Sequence, residues 1–144
     1  MNAEIIMIGT ELLLGQIQDS NATFIARELA ANGIGLYWKT TVGDNPKRIC
    51  TALSSALARA DIILCSGGLG PTEDDITRDC VARILGKEME FHPELWENVL
   101  ARFARIGRPA TDNNQRQAML PQDAEAIPNP NGTAPGLWAE VQGK

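Results

Sequence analysis

The stretch Ser66-Gly67-Gly68-Leu69-Gly70-Pro71-Thr72-Glu73-Asp74-Asp75-Ile76-Thr77-Arg78-Asp79 carries the decision about fold. The apolar run Ile62-Ile63-Leu64-Cys65 leads into it, and a helical pattern follows it. A buried strand, a glycine turn and a helix opening at the turn are therefore expected. Glycines without a Cβ accept positive φ and let a ligand approach the backbone. Unpaired N–H groups and the dipole of a helix N-terminus suit a phosphate. Asp74 and Asp75 are expected in that same first helical turn, and their charge is what needs explaining.

Upstream, Ile5-Ile6-Met7-Ile8 is continuous rather than alternating, as in a parallel strand covered on both faces. It ends at Gly9-Thr10-Glu11; Leu12 to Gly15 reads as a loop or a single helical turn. Asp19-Ser20-Asn21 is N-cap chemistry for a helix with the apolar face Ala22, Ile25, Ala26, Leu29 and a stop at Asn32-Gly33. Leu36 to Val42 reads as a second strand. Asp44 or Asn45 then caps a helix with Pro46 in its first turn and the stripe Ile49, Leu53, Ala56, Leu57.

Downstream, Ile76, Cys80 and Ile84 recur every four residues, and Gly86 ends that helix. A short connection holds Phe91. Pro93 starts a helix that Gly107 stops. Thr111 to Met119 is polar, with a short helix as one reading, and Pro121 closes it. Short strands are expected at Ala124–Ile127 and Leu137–Val141, on either side of the turn-rich Pro128–Gly136. The order βαβαβα, then helix, then two strands gives an α/β class with a mostly parallel sheet and helices on both faces. Ligands in such sheets bind beyond the carboxyl ends of the strands. Those ends are Gly9-Thr10-Glu11, Gly43-Asp44 and Ser66-Gly67-Gly68.

Composition narrows the function classes. At 144 residues one domain is expected. A formal net charge of −5 argues against a nucleic-acid surface or an anionic membrane as partner. No long apolar span or signal peptide is read, so the expectation is cytoplasmic. The 3 cysteines, Cys50, Cys65 and Cys80, fit neither a disulfide framework nor a zinc site. The single histidine, His92, is expected at a helix entrance, and leaves little material for a His-based metal site or a catalytic triad.

The central motif contains an electrostatic conflict. A helix N-terminus favours an anion by roughly 0.3–1 kcal/mol. Two like charges about 4 Å apart repel by ~4 kcal/mol at an effective dielectric near 20. A phosphate therefore tolerates ionised Asp74 and Asp75 only if they point away or a divalent cation lies between. Such an ion could polarise phosphorus or acidify water. Against this stands the bland reading, in which Thr72-x-x-Asp75 is a capping box with Asp in place of Glu. Asp79 is expected to pair with Arg83, one helical turn on. The Asn131–Gly136 loop is either a stiff turn, the favoured reading, or a second set of backbone N–H groups for phosphate.

Three motifs in order, Gly9-Thr10-Glu11-Leu12-Leu13-Leu14-Gly15 with Asp19 and Asn21, Gly67-Gly68-Leu69-Gly70-Pro71-Thr72-x-Asp74-Asp75-x-Thr77, and Asn131-x-x-Ala134-Pro135-Gly136, resemble the CinA family of competence/damage-inducible proteins. The resemblance is to its N-terminal domain and covers nearly the whole chain. It implies a three-layer α/β/α domain with the fold of the molybdopterin-binding proteins MogA and MoaB. It also implies a metal-dependent pyrophosphatase acting on ADP-ribose, with Mg²⁺, Mn²⁺ or Co²⁺ as cofactor. Carried over residue by residue, Asp44 and Asp75 lie near the chemistry. The resemblance leaves open which carboxylates ligate metal; the charge conflict in the central motif points to Asp74 and Asp75 as the catalytic, metal-holding pair. Thr10, Glu11, Gly67, Gly68, Gly70 and Thr72 hold substrate, as do Asn131, Gly132, Ala134 and Gly136. The alternatives are a non-catalytic pterin- or nucleotide-binding module and a dimerising domain for a separate deamidase. A homo-oligomer, with a dimer favoured, is expected. Residues 1–144 are expected to form one domain of this type, shortened at its C-terminal end and without the family's C-terminal deamidase domain.

Overall fold

Strand β1 (Asn2–Ile8) is the most deeply covered element, with every side chain from Ala3 to Ile8 buried. Burial on both faces is what its unbroken apolar run predicts. The computed structural model describes residues 1–144, which form two compact units. One comprises residues 1–68 with 142–144, and the other residues 69–141.

In the first unit, β1 is followed by α1 (Thr10–Leu13), α2 (Ser20–Ala31), β2 (Gly35–Val42), α3 (Pro46–Arg59) and β3 (Ile62–Ser66). The strands form a parallel sheet in the order β2-β1-β3. The two-residue period of a strand sends alternate β1 residues to opposite faces. Ala3, Ile5 and Met7 pack with Ala22 and Leu29 of α2. Glu4 faces the other way and meets Arg59 of α3. Right-handed crossovers to strands on opposite sides of β1 require this split. Asp19 caps α2 by accepting from the Ala22 N–H at 3.0 Å. Asn45 rather than Asp44 caps α3, accepting from the Arg48 N–H at 3.1 Å. Strand β3 lies at the sheet edge and is only half-buried, which corrects the expectation of a fully covered strand.

In the second unit, α4 (Thr77–Leu85) leads to β4 (Met89–Phe91), α5 (Pro93–Arg105), a 3₁₀ helix (Asp112–Ala118), β5 (Met119–Pro121), β6 (Glu125–Ile127) and β7 (Gly136–Trp138). Strands β4 and β5 pair antiparallel, as do β6 and β7. Gly86, at φ 65, ends α4 in the left-handed conformation expected of it. His92 stands at the entrance of α5, with Nδ1 3.0 Å from Glu94 Oε1. Residues 89–91 and 119–121, expected as a connection and a closing proline, are short strands instead. The strand expected at Leu137–Val141 is shorter, ending at Trp138.

The larger correction concerns α4. It starts at Thr77, with Ile76 in the cap position, rather than at the glycine turn. Asp74 and Asp75 therefore precede the helix, and the acidic residue in its first turn is Asp79.

Candidate functional site

The carboxyl ends of β1 and β2 are joined through one side chain. Asp44 Oδ2 accepts from the Thr10 N–H and from Thr10 Oγ1, both at 2.8 Å. Thr10 Oγ1 in turn accepts from the Asp44 N–H at 3.1 Å. Sequence reasoning placed both residues on the rim, and here they form a closed hydrogen-bonded pair. Glu11 is exposed, and a Cβ at Gly9 would fall 2.7 Å from its Oε1, so its carboxylate folds back over Gly9. At the end of β3, Asn21 Nδ2 donates to Ser66 Oγ at 3.1 Å, tying α2 to the start of the glycine motif.

Gly67 has φ 106 and Gly68 φ 64. At Gly67 a Cβ would collide with the carbonyl oxygen of Ile8, so the end of β3 closes onto β1 only because this position has no side chain. The glycine here is required by backbone approach within the fold.

The second unit contains the acidic loop. Asp75 Oδ2 accepts from the Thr72 N–H at 2.9 Å and from Thr72 Oγ1 at 2.6 Å, and the Asp75 N–H donates to the Thr72 carbonyl at 3.1 Å. The Thr72-x-x-Asp75 capping chemistry is thus present, but as a separate turn ahead of α4. Gly70 lies against the same carboxylate, where a Cβ would not fit. Partial burial pushes the Asp75 carboxyl up. The hydrogen bonds from Thr72 and from the Gly70 N–H, with the Arg78 charge, outweigh that and hold it below the usual carboxylate range. Asp74 beside it is exposed.

Two arginines organise this loop, and neither carried a local sequence signal. Arg116 Nη1 donates to the Thr72 carbonyl at 3.2 Å, and its Nη2 lies 3.2 Å from Asp79 Oδ2. Asp79 therefore pairs with Arg116 rather than with Arg83, since a tertiary partner has displaced the helical neighbour. Arg78 is 3% exposed; its Nη2 donates to the Pro135 carbonyl at 3.3 Å, while its Nε has no partner. Burial lowers its pKa, opposed by the charges of Asp75 and Asp79. Gln117, also buried, donates to Thr133 Oγ1 at 3.0 Å. The Asn131–Gly136 segment is thereby held against α4 and the 3₁₀ helix. Within that segment, Asn129 Oδ1 accepts from the N–H groups of Asn131 and Gly132 at 3.1 and 3.0 Å, and Asn129 Nδ2 donates to the Ala134 carbonyl at 2.9 Å. The favoured reading as a stiff turn matches this pattern. Gly136 begins β7.

Nowhere do three His, Cys, Asp or Glu side chains gather into a preformed metal cage. The Asp74–Asp75 pair consists of hard oxygen donors, and a Mg²⁺-like ion bound through one or two carboxylates completes its shell with water and phosphate oxygens. The donor set therefore fits an ion that arrives with a phosphate ligand. It does not fit a permanently caged ion. A nucleophilic cysteine is excluded at Cys65, whose thiol is pushed up to about 12 by burial and by the charge of Glu4. No helix is long and apolar enough to cross a membrane.

Comparison with known proteins covers most of the chain. A family model described as "Probable molybdopterin binding domain" matches residues 4–143. A competence-damage inducible protein of Moorella thermoacetica is 53% identical over 144 residues, which is 100% of this chain and 35% of that protein. The crystal structure of CinA from Thermoplasma acidophilum, described as of unknown function, matches with a TM-score of 0.90 at 33% identity, covering 99% of this chain and 83% of that one. MoaB of Thermus thermophilus, described as a molybdopterin biosynthesis enzyme, matches with a TM-score of 0.57 at 21% identity, covering 83% of this chain and 78% of that one. At that identity the likeness shows the fold alone. The chain spans about a third of the length of the curated relatives it matches.

Proposed function

This chain belongs to the molybdopterin-binding-type domain family, in its CinA branch, and from that premise we propose that it hydrolyses the pyrophosphate bond of a nucleotide-sugar, ADP-ribose, with a divalent metal ion. The observation that carries the proposal is the Asp75 carboxylate, fixed by Thr72 and held ionised next to the exposed Asp74.

A carboxylate held below its usual range makes a poor general base at neutral pH, because its affinity for a proton is weak. Asp75 is accordingly given the role of holding charge in place rather than of accepting a proton. Together with Asp74 it would hold the ion, which supplies Lewis-acid polarisation of phosphate and activation of water. Thr72 and Gly70 keep Asp75 in one orientation. Arg116 anchors the loop through the Thr72 carbonyl. Asp44, paired with Thr10, is proposed near the chemistry and the Gly67-Gly68 turn as a phosphate holder, as the resemblance implies. Hydrolysis adds the elements of water across one P–O bond and yields AMP and ribose 5-phosphate.

A second reading has its own observation. Asp75 Oδ2 is occupied by hydrogen bonds within its loop and no third ligand is at hand, which suits a module that binds a pterin or nucleotide without chemistry. Calorimetry with ADP-ribose and metal, run beside an assay of AMP release, separates the two. Metal-dependent AMP release that is lost in Asp75→Asn supports hydrolysis. Tight binding with no release in any metal supports the binding module.

A further inference from the structure

Strands β4 and β5 pair so that Phe91 lies opposite Met119. Met89, two residues from Phe91, shares its face of the ribbon. Phe91 and Met119, directly opposed, stand within contact distance on that face. One side of this short ribbon is therefore an apolar platform made of an aromatic ring and two thioethers. Phe91 nevertheless remains 44% exposed, so part of its ring is open to a ligand.

The platform is one wall of a cleft of about 400 Å³. The facing walls come from α4 and the loop before it, with Asp75, Arg78 and Asp79, and from the 3₁₀ helix, with Asp112, Gln115 and Arg116. The volume lies in the range of small-molecule sites. The lining carries three carboxylates and two guanidiniums, and the Arg116 charge is already met by Asp79 at 3.2 Å. An anionic group entering here without a metal ion would face the Asp112 carboxylate, which has no ion-pair partner. A free cation would meet the buried Arg78. A neutral planar ring with both donors and acceptors on its edge suits all walls at once: its face stacks on Phe91 and the thioethers, and its edge meets carboxylates, Gln115 and guanidinium.

We propose that this cleft takes the heterocyclic base of a nucleotide, adenine in the case of ADP-ribose. The choice of adenine rests on the pyrophosphatase reading; the planar, mixed-edge chemistry rests on the cleft alone. The exocyclic amine of adenine donates towards the carboxylates, whereas hypoxanthine presents an acceptor in the same place and is disfavoured.

The test is titration of the full chain with adenosine and, separately, with ribose 5-phosphate, following the methyl resonances of Met89 and Met119 together with calorimetry. Adenosine is expected to shift both methyls and to bind roughly tenfold more weakly to Phe91→Ala, the loss of one stacking partner. Ribose 5-phosphate is expected to leave both methyls unmoved. A second variant at the exposed Asp112, Asp112→Asn, is expected to narrow the preference for adenosine over inosine. Unmoved methyls with adenosine, or equal affinity in Phe91→Ala and an unchanged preference in Asp112→Asn, overturns the proposal. Adenosine binding in the cleft without turnover of ADP-ribose overturns the pyrophosphatase reading and leaves the cleft assignment standing. Turnover without any effect of adenosine on the methyls does the reverse.

Discussion

Asp75 is the residue at which structure and chemistry meet most closely. Its carboxylate has donors from Thr72 and Gly70, and its folded pKa lies below the ordinary value of 3.8. A depressed carboxylate pKa contributes stability that is present above the unfolded pKa and lost as pH falls through the folded one. Asp75→Asn is thus expected to destabilise the chain by about 1–2 kcal/mol at pH 7, from weakened charge-assisted bonds in a partly wet loop. The deficit should begin to shrink as pH falls below the unfolded value of about 4, and close only as pH passes through the lower folded pKa, where the native carboxyl takes up its proton. Urea melts of both proteins between pH 7 and pH 3 measure this, and a deficit that stays constant over the range contradicts it.

Glu4 is the other informative carboxylate. It is fully buried, with two hydrogen bonds from Arg59 and one from Thr40, each at 2.8–2.9 Å. Arg59 holds it below the usual carboxylate range against the opposing effect of burial, with Thr40 assisting. The Arg59 guanidinium also lies 4.7 Å from the centre of the Trp38 ring. Arg59→Ala strands the buried Glu4 charge and is expected to lower the melting temperature, by less than breaking a fully buried pair would because Arg59 is partly in water. Glu4→Gln in the same background should recover part of the loss, by removing that charge. Thermal denaturation of the single and double variants checks both outcomes.

At the scale of elements, the glycine turn behaves differently from its sequence reading. Gly67 is needed where the end of β3 approaches Ile8, at φ 106, and Gly67→Ala meets both a strained backbone and a backbone oxygen. The expected cost is roughly 2–4 kcal/mol. Gly86→Ala is the control: φ is 65 but a Cβ would meet nothing, so only the left-handed conformation is penalised, about 1–2 kcal/mol. Chemical denaturation that ranks the two equally would contradict the clash. The long elements were legible because their signals are redundant. Asp19 and Asn45 supply caps, Gly86 and Gly107 supply stops, and β1 is apolar from Ala3 to Ile8 but for Glu4. The start of α4 was not legible, because Thr72-x-x-Asp75 makes the same local hydrogen bonds in a free-standing turn as at a helix end. Strands β4 and β5, three residues each, are too short to show a period. Arg116 and Arg78 were missed because their partners, at Thr72, Asp79 and Pro135, are set by tertiary packing.

For the whole molecule, the α/β class and the parallel sheet follow from the βαβαβ order, and the CinA likeness extends over 99% of the chain in the Thermoplasma acidophilum structure. The rim pair Thr10–Asp44 and the acidic loop were both foreseen as candidate sites, and each has its own local hydrogen-bond network. The function proposed for them is a metal-dependent one, so the central measurement is AMP release from ADP-ribose by the purified chain, with and without Mg²⁺, Mn²⁺ or Co²⁺, in wild type and Asp75→Asn. The account predicts release that requires a divalent ion and falls at least about 100-fold in Asp75→Asn, as expected when a charged group at the reacting phosphate is neutralised. No metal-dependent release by the wild type, or undiminished release by Asp75→Asn, would contradict it.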